Sequence, residues 1–168
     1  MPVSALPSRT GVGELGAYAY EFVDALKENG VKIWQILPLN PVGYGNSPYQ
    51  PYSSCAGDEL YISLDLLYEG GLLKEKAPSF RENAKTVDYD AVRAFKEPYL
   101  KEAFANFQET EEYREFTRQT WVYEYAVFRA LKKANGNACW NEWKAEDKAW
   151  REVPAPLAKE QEDEAAYQ

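Results

Sequence analysis

Residues 31–39 read VKIWQILPL, an apolar run rich in β-branched and aromatic residues that Pro38 ends. It follows a segment in which Leu15, Tyr18, Ala19, Phe22 and Leu26 recur at the spacing of an amphipathic helix, with Gly30 placed to stop it. A strand apolar on both faces, directly after a helix, fits a parallel strand covered on both sides better than a half-exposed antiparallel one. Met1–Ser4 read as a short strand and residues 5–10 as a loop, so the first forty residues predict a strand-helix-strand unit of the α/β class.

Past Leu39 the texture changes. Asn40 to about Leu60 shows neither periodicity, whereas connections in compact domains usually run about four to six residues. Loops of that length tend to carry function. A helix is expected over Ser63–Glu69, ended by Gly70 and Gly71, and residues 74–86 are again irregular. From Asp88 to about residue 150 the chain reads as amphipathic helices. One is broken at Pro98, and one carries Trp121, Tyr125 and Phe128 and stops at Asn135-Gly136. Pro154 and Pro156 read as a linker before a last helix in LAKEQEDEAAYQ. The expected division is residues 1–75, with a substrate loop at 40–60, followed by a mainly helical part at 76–168.

Charge and residue types narrow the chemistry. A net charge of −8 disfavours a nucleic-acid partner, whose phosphates the average field repels. No run of eighteen apolar residues and no basic-then-apolar leader is present, so no membrane partner is expected and the cytoplasm is the expected location. Histidine is absent, which removes the commonest general base and metal ligand. Cys55 and Cys139 are expected to be reduced thiols. Neither a metal nor a cofactor is expected.

GVGELG, residues 11–16, fits a dinucleotide-binding glycine pattern letter for letter. That pattern needs its first glycine straight after the strand and an acidic residue at the end of the next strand. Here residues 5–10 intervene and the second strand ends in Pro38-Leu39-Asn40. The reading adopted is structural: the glycines allow a tight turn and a close helix approach.

GYGNSPYQPYSS, residues 43–54, places three tyrosines among glycine, proline and small polar residues. Such rings either anchor a long loop or offer apolar faces to a sugar, whose rim hydroxyls short polar side chains bond. Loops leaving the C-terminal ends of parallel strands form the ligand site in α/β folds, which favours binding.

PVSALPSRTGVGELG and VKIWQILPLNPVGYGNSPYQPYSSCAGDELYISLDLL resemble the N-terminal part of the 4-α-glucanotransferases, the amylomaltases and disproportionating enzymes of glycoside hydrolase family 77. WVYEYAVFRALKKANG followed by WNEW is similar to a later helical segment of that family. The resemblance implies the first strands of a TIM (β/α)8 barrel, incomplete in this chain, with a helical insertion subdomain. It implies transfer of α-1,4-glucan segments between maltooligosaccharides, or starch- and glycogen-derived glucans, by a retaining double displacement without a cofactor. By motif match, Tyr49 stacks on the donor sugar, Asn46 and Ser47 lie in the same substrate-contacting turn, and Tyr44 contacts glucan further away; Gln50, as a polar neighbour in that loop, is expected to bond rim hydroxyls. The sequence departs from relatives at Asp58, Glu59 and Leu60, where Asn, Pro and Tyr are common, and these changes are expected to leave the reaction itself untouched.

None of the family's catalytic carboxylate motifs occurs before Gln168, so no catalytic residue is assigned. A closed barrel needs about 250 residues, and the chain has 168; a fragment that binds sugar without cleaving it is the expectation. Two alternatives stand beside it: a non-catalytic glucan-binding protein using Tyr44, Tyr49 and Tyr52, and a helical adaptor whose aromatic stripes bury a partner.

Overall fold

The computed structural model describes residues 1–82, 84–152 and 156–168, the side chain of Tyr44 lying outside that description along with Pro154 of the expected linker. The chain divides into two compact units, Met1–Phe107 and Gln108–Gln168. The boundary expected at 75/76 lies inside the first unit.

In the first unit, helix α1 spans Ala17–Glu28 and buries Ala19. Its end is closed by the Asn29 and Gly30 amides, which donate to the carbonyls of Ala25 (3.1 Å) and Lys27 (3.0 Å). Helix α2, Leu64–Glu69, starts where Ser63 Oγ accepts the Leu66 N–H. Helix α3, Tyr89–Asn106, starts where Asp88 accepts the Ala91 N–H and runs unbroken through Pro98. The break expected at Pro98 is therefore absent. Val92, Lys96, Leu100 and Ala103 form one buried stripe that spans the proline, so packing on both sides holds the helix through a site that loses a backbone bond.

Among the described residues, two apolar clusters hold this unit. Val3, Leu6 and Ala19 collect Phe22, Trp34, Leu39 and Tyr61. Val12, Leu60 and Val92 collect Phe80, Val87 and Tyr89. The glycine motif works as a close-approach device: a Cβ at Gly13 would stand 1.9 Å from the Val3 carbonyl oxygen, and one at Gly16 would stand 2.6 Å from Ser63 Oγ.

The expected strands are corrected. Val3–Ala5 form a 3-10 turn rather than a strand. Residues 31–39 join no ladder, and the isolated antiparallel bridge Val42–Pro51 is the pairing present among the described residues. A strand is defined by a hydrogen-bonded ladder with a neighbour, and no described segment forms one with this run. Ile33 is 84% exposed as a result, although Trp34 packs edge-on against Phe22 with centroids 4.9 Å apart.

The second unit contains α4 (Glu111–Thr117), α5 (Thr120–Ala134), the single turn α6 (Ala145–Lys148) and α7 (Lys159–Tyr167). Helix α5 packs against α4 and α7. Val127 and Leu131 on its inner face join Trp143, with Phe128, Ala138, Trp150 and Leu157 around them.

Candidate functional site

The irregular stretch after residue 39 is a loop with a tied neck. Asp58 N–H donates to the Leu39 carbonyl (2.8 Å) and Tyr52 N–H to the Pro41 carbonyl (2.9 Å). Asn40 Nδ2 donates to the Ala56 carbonyl (2.8 Å). Beyond the neck, Val42 and Pro51 bridge and the chain folds back on itself.

The tip is built from two turns. In the first, Tyr44–Asn46, Gly45 (φ 81°) and Asn46 (φ 52°) both take the left-handed conformation that glycine and asparagine tolerate best. In the second, Gln50 N–H donates to the Ser47 carbonyl (3.1 Å), and Pro48 sets the backbone in between. Ser47 Oγ also accepts the Tyr49 N–H at 3.4 Å. This turn lifts Tyr49 into solvent, 73% exposed. Tyr52, also exposed at 40%, lays its ring beside Gly43, where an added Cβ would meet it at 3.1 Å. Of the sequence candidates, Asn46, Ser47, Tyr49 and Gln50 thus share one tip, with Gln50 exposed and Asn46 and Ser47 partly buried.

Beneath the loop lie two ionic centres that sequence reading missed. Asp58 is 5% exposed, and its carboxylate accepts from both terminal nitrogens of Arg93 on α3, at 2.8 and 3.2 Å. It also accepts the N–H groups of Val42 (3.2 Å) and Leu60 (3.0 Å). Arg93 reaches Glu59 as well, at 2.8 Å.

Lys96, 1% exposed, donates to Glu14 Oε2 (2.8 Å) and to the carbonyls of Leu60 and Ile62 (2.7 Å each). Glu14 accepts in addition from Thr10 (2.9 Å) and Ser63 (3.0 Å). Burial pushes the Lys96 ammonium below the usual lysine range, against the opposing pull of Glu14. Both carboxylates are consumed by structure, which suits neither for nucleophilic or acid-base work. Glu14 belongs to GVGELG, but its partner stands 82 positions away, and no local pattern announces such a pair.

A cavity of about 70 Å³ opens beside the loop between Leu39, Val42, Asn46, Pro48, Asp58 and Tyr61. Small-molecule pockets usually run to about 300 Å³ or more. Burial, together with the neighbouring Tyr89 and Asp58, raises the Tyr61 hydroxyl above the usual tyrosine range. Cys55 and Cys139 are free and exposed.

The loop tip displays a ring on a fixed turn, with an apolar face and small polar groups beside it. The 4-alpha-glucanotransferase family profile matches residues 1–168, and the chain belongs to that family. It is 43% identical over 164 residues to a 4-alpha-glucanotransferase of Synechocystis sp., covering 90% of this chain and 32% of that protein. It is 42% identical over 170 residues to one of Thermus thermophilus, covering 94% of this chain and 34% of that protein. The fold is similar to that of an amylomaltase from Streptococcus agalactiae in complex with acarbose, with a TM-score of 0.81 at 30% identity over 99% of this chain and 36% of that one. The chain spans about a third of the length of the curated relatives it matches. No helix among the described residues is long and apolar enough to cross a membrane.

Proposed function

We propose that these residues form the N-terminal, donor-holding part of a cytoplasmic 4-alpha-glucanotransferase that moves α-1,4-glucan segments between maltooligosaccharides with retention of configuration. In this reading residues 31–39, which join no ladder among the described residues, pair as a strand of a (β/α)8 barrel only in the whole protein, residues 76–168 belong largely to a helical insertion, and the carboxylates that break the glycosidic bond come from elsewhere in the protein. Tyr49 stacks on the donor sugar, Asn46, Ser47 and Gln50 bond its rim hydroxyls, and Tyr44 contacts the glucan further out. Family membership and an acarbose-carrying relative support a carbohydrate ligand.

The observation that carries the reading is the Tyr49 ring, left 73% exposed at the tip of a loop whose neck is tied at several points. A large ring held out of the core on a pre-shaped turn binds with little ordering cost. The test is transfer from maltotriose by the whole protein. Tyr49→Ala should raise KM for the donor about tenfold or more, the loss of one stacking face being worth about 1–2 kcal/mol. Tyr49→Phe should stay within about threefold of the parent. Equal losses in the two variants would shift the role from ring face to hydroxyl, and an unchanged KM in Tyr49→Ala would remove the loop from donor binding.

A further inference from the structure

Asp58 occupies an unusual place in the loop it closes. Its backbone N–H fixes Leu39, while its carboxylate fixes the N–H of Val42, the residue immediately before Gly43 at the start of the tip. One residue therefore ties both sides of the neck. The carboxylate is itself held in a two-pronged grip by Arg93, which stands on α3 and reaches across from a different part of the unit. Arg93 is the step that relates the loop to a rigid helix, since a planar guanidinium fixes the carboxylate plane as well as its position.

We propose that Asp58 and Arg93 are positioning residues for glucan transfer: through the Val42 N–H they set the register and tilt of the turn that carries Tyr49, without touching sugar themselves. This rests on the donor-binding reading of the loop. An aspartate suits the task because all four of its bonds need acceptor oxygens, two on each side: Oδ1 serves Leu60 and Arg93 Nη1, and Oδ2 serves Val42 and Arg93 Nη2. An asparagine has one acceptor oxygen, and its amide would turn donors toward either the guanidinium or a backbone N–H. The departure at position 58 therefore bears on how the donor is held rather than on the bond-breaking step, because an asparagine there could not accept both prongs of Arg93 together with the Val42 and Leu60 N–H groups.

The experiment measures donor KM and kcat for maltotriose in the whole protein carrying Arg93→Ala, Arg93→Lys, Asp58→Asn, Tyr49→Ala and the double Tyr49→Ala/Arg93→Ala, well below each melting temperature. A misplaced contact group costs about tenfold or more, so Arg93→Ala and Asp58→Asn should raise KM by about that factor with kcat changed by less than about threefold. Arg93→Lys, which keeps the charge but not the fork, should fall between. The double variant should be no worse than Tyr49→Ala by more than about twofold, because residues acting through one contact are not additive. Amide exchange of residues 42–52 should quicken in Arg93→Ala. A lowered melting temperature with unchanged KM overturns the proposal, as does a double variant whose losses multiply. Should Arg93→Ala fail to fold, Arg93→Lys and Asp58→Asn decide by the same KM criterion. If Tyr49→Ala itself leaves KM unchanged, the donor-binding reading falls and this proposal with it; if only the Arg93 and Asp58 variants do, the reading stands and the proposal alone is lost.

Discussion

Lys96 carries a charge where almost no water reaches, at 1% exposure, and each of its three protons has an acceptor: one carboxylate and two backbone carbonyls. The Coulomb attraction to Glu14 offsets desolvation only because those remaining bonds are also made. The pair ties the glycine motif to the segment leaving the loop and to α3, the three stretches that Val12, Leu60 and Val92 also pack together. Replacing Lys96 by Met in the whole protein should cost about 3–5 kcal/mol, most of it from the carboxylate left buried without a counter-charge. Adding Glu14→Gln to Lys96→Met should then recover part of the loss, since the uncompensated charge is gone. Urea midpoints for the three variants check this, and a double variant as unstable as the single would mean that lost packing, not the stranded charge, sets the cost.

Helix α3 shows how far local pattern reaches. Proline inside a helix removes one backbone bond and costs about 3 kcal/mol relative to alanine, yet α3 passes through Pro98 without a break. Pro98→Ala should therefore stabilise the whole protein by about 2 kcal/mol, the regained helical term less about 1 kcal/mol for the freer unfolded chain. A thermal melt that does not rise would mean that the ring of Pro98 makes packing contacts worth as much as the missing bond. Helices α1, α2 and α5 were legible because their signals are local: a repeating apolar face, a Gly-Gly stop, an Asn-Gly stop. The continuity of α3 was not, because Val92 and Lys96 before the proline are held by partners distant in sequence, and Leu100 and Ala103 are buried after it. The same division runs through the site. Gly, Pro and Asn marked the turns of the loop tip, while the Asp58–Arg93 and Glu14–Lys96 ties join positions 35 and 82 residues apart and leave no trace in spacing.

Residues 31–39 illustrate a conflict between what a segment is made of and what surrounds it. Composition fits a buried parallel strand, but Val31, Ile33, Ile36 and Leu37 stand between 38% and 84% exposed, with no strand beside them among the described residues. Full burial of each such side chain contributes about 1.5–3 kcal/mol, so the exposed fraction forfeits on the order of 5 kcal/mol. That equals the entire net stability of many domains, about 5–15 kcal/mol. An unpaired apolar run is also a template for pairing with another chain. A polypeptide of these 168 residues by itself is therefore expected to unfold over a broad range without a cooperative transition, and to associate as its concentration rises. It is also expected to release no glucose from maltotriose, because its two buried carboxylates are already bound to Arg93 and Lys96. Calorimetry across a tenfold concentration series, with a glucose assay on the same samples, checks both halves. A sharp, concentration-independent melt would show that the two apolar clusters of the first unit suffice without a covered strand, and glucose release would require a catalytic pair within these residues.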